Sequence, residues 1–251
     1  MLERLGLWAL FSLKKGLFMV KNELIQRSPV RVLEKAMRGG LKAGGLGVIA
    51  GPSGLGKTSV LVQIALDKLL QDKKVIHISF TQNADFVIDW YASIFDEFVG
   101  KRSMENVAEL KEQLVRNRIL MNFSQTGVNS DVIRKSLHSM IVEGGYKAEA
   151  IIIDGFDFSI AASGRIKSLK EFAAGLGLVT WYSCTVSGEP PYDAKGFPTV
   201  LKDVEDELDC VITLASKPYH LELSIAKDGA VYNPGISPLK LDPRTLLLLD
   251  N

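Results

Sequence analysis

Apolar residues recur along this chain as short, wholly hydrophobic runs separated by longer amphipathic stretches, the pattern of buried strands alternating with helices. Leu46–Ala50 reads as a buried strand, and Ser59–Leu70 as a helix because Val60, Leu61, Ile64, Ala65 and Leu69 fall at helical spacing. Val75–Phe80 is expected to be a strand after the polar Gln71-Asp72-Lys73-Lys74 turn. Asp85–Val99 follows as a helix with Phe86, Val87, Trp90, Tyr91, Ile94, Phe95 and Phe98 on one broad face. That aromatic stripe reads as core or subunit contact rather than as a base-stacking platform. Val107–Asn117 is predicted as a helix, Arg118–Phe123 as a strand, and Ser130–Glu143 as a helix capped by Asn129 or Ser130 and ended by Gly144-Gly145. Ala150–Asp154 is an apolar strand that finishes in an acid, Ile166–Ala174 a helix and Leu178–Cys184 a strand. Ser187–Pro198 is a loop, Leu201–Glu207 a short acidic helix and Cys210–Leu214 a strand. His220–Ala226 and Val231-Tyr232 form a hairpin around Lys227-Asp228-Gly229. Such alternation predicts an α/β fold, with a mostly parallel central sheet flanked by helices, a C-terminal β-hairpin, and ligands at the carboxyl ends of the strands.

Between the first strand and its helix lies Gly51-Pro52-Ser53-Gly54-Leu55-Gly56-Lys57-Thr58, which fits G-x-x-x-x-G-K-[ST], the phosphate-binding P-loop. Strand, glycine loop and helix is the context this motif requires. Gly51, Gly54 and Gly56 let the backbone turn sharply and aim its N–H groups at phosphate oxygens. The helix N-terminus adds positive partial charge at the same place. Residues Gly51 through Ser59 are therefore the expected nucleotide-binding stretch, with Lys57 reaching the β- and γ-phosphates and Thr58 ligating Mg²⁺. The bland reading is a glycine-rich turn that matches by chance; the flanking strand and helix weigh against it.

Composition narrows the classes without choosing among them. The chain has 251 residues, 47% of them hydrophobic, enough for one α/β domain with a substantial core. With 30 Lys+Arg against 29 Asp+Glu there is no global attraction to nucleic acid or anionic membrane. Cys184 and Cys210 are the only cysteines; both sit in apolar runs and read as core residues of a cytoplasmic, reducing compartment. His77, His138 and His220 lack metal-ligand spacing. Leu5–Leu13 is apolar apart from Ser12, yet too short to span a bilayer, which takes about 20 residues. Two readings of residues 1–18 stand side by side: an upstream over-extension of a chain starting at Met19, or an amphipathic helix packing on a neighbour or a membrane surface.

Asp154, at the end of its strand, is the natural partner of Thr58 as a Mg²⁺ ligand; the plain alternative is a strand-ending Asp in an Asp-Gly-Phe-Asp turn. Hydrolysis also needs a group to orient or deprotonate water. Gly155 stands directly after Asp154, where many P-loop enzymes carry Glu, and Asp157 lies two residues further on.

The order of these motifs resembles the RecA-like P-loop ATPases, and within them the KaiC and DnaB-helicase branch, over about residues 28–232. Pro29–Glu34 with Arg38–Gly44 is similar to the family's segment before the P-loop strand, Val75–Gln82 to its second strand, Leu208–Leu214 to its late strand, and Leu223–Lys227 to the hairpin strand that ends in lysine. The resemblance implies a RecA-like ATP-binding domain over 28–232, an N-terminal extension over 1–27 and a tail over 233–251. It also implies Mg-ATP as ligand and a homo-oligomer with nucleotide at the subunit interface. Where the family's second strand ends in glutamate, its catalytic base, this chain has Thr81-Gln82; Gln82 retains the ability to position a water. Where the family's hairpin typically has Lys-x-Arg, which reaches the γ-phosphate of the neighbouring subunit, Lys227 matches the lysine and Gly229 replaces the arginine. Losing a base costs roughly 10² to 10⁴ in rate, and losing an arginine finger roughly 10³ to 10⁵. The candidate catalytic residues are thus Lys57, Asp157, Gln82 and Lys227, in a binder expected to turn ATP over slowly or not at all.

Three functions follow: a nucleotide-dependent switch or assembly element; an active ATPase on DNA; and an interaction module keeping the loop only as a turn. The loops expected to face DNA, Gln125–Asn129 and Ser187–Pro198, carry Lys195 and no Arg; Tyr192 and Phe197 are able to stack bases, but a solvated loop is the better reading. ATP is favoured over GTP because no [NT]-K-x-D motif is present.

Overall fold

The computed structural model of the chain describes residues 16–80, 84–100, 107–124, 130–160 and 163–249. Its helices are α1 (16–26), α2 (Val30–Ala36), α3 (Lys57–Leu70), α4 (Ala84–Val99), α5 (Val107–Arg116), α6 (Ser130–His138) and α7 (Ser163–Gly175). The strands are β1 (Leu46–Gly51), β2 (Lys74–Ser79), β3 (Arg118–Asn122), β4 (Ala148–Asp154), β5 (Val179–Thr185), β6 (Cys210–Ser216), β7 (Leu221–Asp228), β8 (Val231–Tyr232), β9 (Leu239–Leu241) and β10 (Leu248–Leu249). They form one sheet in the order β3-β2-β4-β5-β1-β6-β7-β9-β10, with β8 paired to β7. From β3 to β6 all pairings are parallel; from β6 outward through β7, β9 and β10 they are antiparallel. The chain is therefore α/β, with a mixed, mostly parallel central sheet flanked by helices.

Strands buried on both faces explain the continuous apolar runs. Along β4, Ile151 and Ile153 point into one core with Ile133 and Leu137 of α6 and Ile166 and Leu169 of α7. Ala150 and Ile152 point into the other, against α3, α4 and α5. Helix α3 lies in the thick of that second core and is buried nearly all round. Its Asp67, with no exposed surface, is ion-paired to Arg31 of α2 and accepts from Gln71 Nε2 at 2.7 Å. Arg31 also pairs with Glu34 at 2.7 Å, so α2 is tied to α3 through one guanidinium.

Several elements differ from the sequence reading. The aromatic face of α4 is narrower: Val87, Tyr91, Ile94 and Phe95 are buried, whereas Phe86 is 51% exposed and lies edge-on to Trp90. The helix presents a single line to α3, and Phe86 lies off it. The predicted Ser130–Glu143 helix is α-helical only to His138. Ser139–Glu143 widens into a π turn, closed by Gly144 N donating to Ser139 O at 2.8 Å. The acidic segment is a 3-10 helix over Thr199–Glu207. Within the 233–251 tail, β9 and β10 continue the sheet beyond β7 and bury Leu239, Leu241 and Leu248. Strands of three and two residues are too short to show an alternation in sequence. The described part of the N-terminal extension packs on the domain through buried Leu24 and through Lys21, paired with Asp72. No helix among the described residues is long and apolar enough to cross a membrane.

Close packing sets the register of β1 against β5. A Cβ on Gly47 would lie 2.5 Å from Cζ3 of Trp181, its partner in the parallel register. Gly47→Ala is therefore expected to lower the unfolding free energy by about 1–3 kcal/mol, from overpacking, measured by urea denaturation.

Candidate functional site

The carboxyl ends of β1, β4 and β5 meet at one edge of the sheet, where the glycine loop joins β1 to α3. Gly51 comes so near β6 that a Cβ there would lie 3.1 Å from the Leu214 carbonyl oxygen. Gly54 and Gly56 hold φ of +79° and +82°, in the left-handed region that other residues avoid. Gly56 is also the N-cap of α3 and supplies no side-chain cap, and the first turn carries no acid. The opening N–H groups of α3 thus have no side-chain cap, and the positive end of the helix dipole lies at the same place. Pro52, Ser53 and Gly54 are exposed, while Leu55 packs part of its side chain on the core.

Lys57 folds back over the loop, its Nζ donating to the carbonyls of Gly51 at 3.0 Å and Pro52 at 2.7 Å. Burial pushes its pKa down, partly opposed by Cys184 and Asp154. Thr58 Oγ1 donates to Asp154 Oδ2 at 2.8 Å. The other carboxylate oxygen of Asp154 accepts from Ser183 Oγ at 2.6 Å, and Ser183 Oγ in turn accepts from Gly155 N at 2.7 Å. Asp154 is only 3% exposed, so these hydroxyls hold it in one orientation. A hydroxyl and a carboxylate oxygen at this spacing are hard donors. They fit Mg²⁺, which keeps several waters and takes one or two protein ligands beside phosphate oxygens. Among the described residues, no group of three or more His, Cys, Asp and Glu side chains gathers as a metal cage.

The fold thus brings Gly51 through Ser59 and Asp154 together. Ser59 turns away from the loop, its Oγ donating to Leu246 O at 2.7 Å. Asp157 uses Oδ1 to accept from Ser159 N at 2.9 Å and Ser159 Oγ at 2.6 Å, so that oxygen serves its own turn. Gln82 and Thr81 lie outside the described residues, as do 1–15 and the loop Gln125–Asn129. Lys227 is not brought to the group. It pairs with Val211, which stands beside Val48, about 10 Å down β1 from Gly51. Its Nζ donates to the carbonyls of Glu205 and Leu208, and burial pushes its pKa down. Within its own chain Lys227 braces the end of the 3-10 helix, away from the glycine loop. Phe197, one of the two loop aromatics weighed for base stacking, has no exposed surface and packs edge-on against Tyr232.

Ser183 and Gln63 were missed in the sequence. Ser183 lies in an ordinary apolar strand, and only the β4–β5 pairing turns it toward Asp154. Gln63 sits wholly buried within α3, and a lone Gln in an apolar helix gives no signal of its partner. No protein-family model matches the chain, and no curated protein matches it.

Beneath the site, His77 of β2 is fully buried. Its Nδ1 is 3.0 Å from Tyr91 Oη, and its Nε2 has no hydrogen-bond partner. The Arg118 guanidinium stacks 4.0 Å over the Tyr91 ring. Burial pushes the imidazole down to about 4 from 6.5; Arg118 adds to this and Asp154 opposes it. Above pH 6.5 the ring is neutral in both folded and unfolded chains. Between 6.5 and about 4 only the unfolded chain takes up the proton, so stability falls as pH falls. The full window is worth up to about 3 kcal/mol. Urea midpoints are expected to drop between pH 7 and pH 4.5, and to drop less in His77→Leu.

Proposed function

We propose that this chain is a RecA-like P-loop protein of the KaiC and DnaB-helicase branch that binds Mg-ATP. It acts as a nucleotide-dependent switch or assembly element with slow or absent hydrolysis. The observation that carries the reading is the 2.8 Å contact between Thr58 Oγ1 and Asp154 Oδ2 at the mouth of the glycine loop. It joins the two oxygen ligands expected of Mg²⁺ from segments far apart in sequence. Three further features support it: the left-handed glycines, the uncapped N-terminus of α3, and Lys57, which lies over the loop and would exchange two carbonyl oxygens for phosphate oxygens. When bound, Mg²⁺ would be held by Thr58 and Asp154 and would offset charge on the phosphates. Ser183 would keep Asp154 aimed, and Lys57 would bind the terminal phosphates.

Slow turnover follows from what surrounds this cradle. Gly155 follows Asp154, one carboxylate oxygen of Asp157 is engaged with Ser159, and Thr81-Gln82 and Gly229 stand where the resemblance implies a catalytic glutamate and an arginine. In this reading the nucleotide lies between two copies of the chain, and binding it shifts their assembly.

The test is Mg-ATP binding and single-turnover hydrolysis in one preparation, beside Lys57→Ala, with sedimentation at each nucleotide state. Wild type is expected to bind, to turn over little, and to change its oligomeric state with Mg-ATP. Lys57→Ala is expected to lose roughly ten- to a hundredfold in affinity. Brisk turnover abolished in the variant would favour a motor instead, and no binding by wild type would leave only an interaction module.

A further inference from the structure

The C-terminal segment grips α3 immediately behind the candidate site. Gln63 has no exposed surface and lies one turn beyond Ser59. Both ends of its amide are taken by C-terminal backbone: Nε2 donates to Leu246 O at 2.8 Å, and Oε1 accepts from Leu248 N at 3.0 Å. Ser59 Oγ donates to the same Leu246 carbonyl at 2.7 Å, and Gln63 Nε2 lies 3.2 Å from Ser59 Oγ. Two buried polar side chains of a helix, Gln63 Nε2 also reaching Ser59 O at 3.3 Å within that helix, fasten one backbone segment to it. Both belong to the first two turns of α3, beside Thr58.

The fastened segment is itself tightly turned. Asp242 N donates to Leu247 O at 2.9 Å, Leu246 N donates to Asp242 O at 2.8 Å, and the Asp242 carboxylate accepts from Arg244 N at 2.7 Å. Leu246 holds a φ of +56°, a conformation a leucine keeps only where its surroundings hold it there. Here the two donors on its carbonyl do so. The Leu241 and Leu246 side chains end 3.4 Å from where a Cβ on Gly56 would sit, so they rest on the left-handed hinge of the glycine loop. The segment thus touches the loop on both sides of Lys57-Thr58, through Gly56 before and Ser59 after.

We infer that β9, β10 and the turn between them are a strap that holds the glycine loop and the first turn of α3 in the form that accepts a polyphosphate chain, with Gln63 as the positioning residue that fastens it. This rests on the phosphate-binding reading above. The strap acts on the phosphate end of the ligand, so it is blind to the base. Coupling between two sites is reciprocal: a strap that favours phosphate binding is itself tightened by phosphate.

The test uses the full chain with Mg-ATP and Mg-tripolyphosphate as probes. In wild type, backbone hydrogen exchange at Leu246 and Leu248 is expected to slow by about tenfold when Mg-tripolyphosphate binds. Unchanged exchange would overturn the strap, and this measurement needs no variant to fold. Gln63→Leu, and more mildly Ser59→Ala, are expected to weaken both probes equally, by about tenfold for Gln63→Leu, below the temperature at which either variant melts. Loss for ATP alone would make the turn a wall for the base and overturn the inference, as would unchanged affinity for both. Wild type that binds neither probe would overturn the phosphate reading itself, whereas wild type that binds both while the variants match it would remove only the strap.

Discussion

The contact between Thr58 and Asp154 stands only because β5 lies between β1 and β4 and pairs with both. Parallel strands run their carboxyl ends to one edge, and each crossover helix returns the chain to start the next strand in the same sense. The glycine loop, the carboxylate and Ser183 are therefore delivered to one place by three separate strands. A slip of one residue in either pairing would turn Asp154 or Ser183 to the opposite face of the sheet. Gly47 against Trp181 is one of the packing constraints that forbid such a slip.

Burial then decides what each charged group at the site is able to do. Asp154 has little contact with water, and its two oxygens are met by hydroxyls rather than by cations. Such a carboxylate is held in one orientation by its two hydroxyl partners. Lys57 is held in a partly desolvated position by two carbonyls, weaker partners than phosphate oxygens. Lys227 has partners of the same kind, two backbone carbonyls, but at the end of a 3-10 helix, and its register sets it well down the sheet from the glycine loop. Neither residue type nor partner type separates these two lysines; their places in the sheet do.

Much of the architecture was legible because its signals are local. The β1, β2, β4 and β5 runs are apolar on both faces, and α3 and α5 show helical spacing, so their positions followed within a residue or two. The loop was legible because glycine spacing reports backbone geometry directly. What escaped notice depends on partners remote in sequence. The strands β9 and β10 are defined by the strands they lie against, remote in sequence from any local signal. Ser183 and Gln63 escaped for the same reason, since a small polar residue in an apolar run declares nothing about what it will meet.

The sequence by itself determined the alternation of strands and helices, the glycine-rich turn with Lys57 and Thr58 at its end, and the acid closing β4. Each of these is written in residues adjacent in the chain, whose steric and hydrophobic preferences act without help from elsewhere. Only the tertiary structure decided that Asp154 faces Thr58, that Ser183 steadies it, that Lys227 turns to Glu205 and Leu208, and that the C-terminal strands close over α3 through Gln63. Those arrangements join residues separated by tens to nearly two hundred positions. They follow from sheet order and register, which are set by the packing of the whole core and not by any one segment.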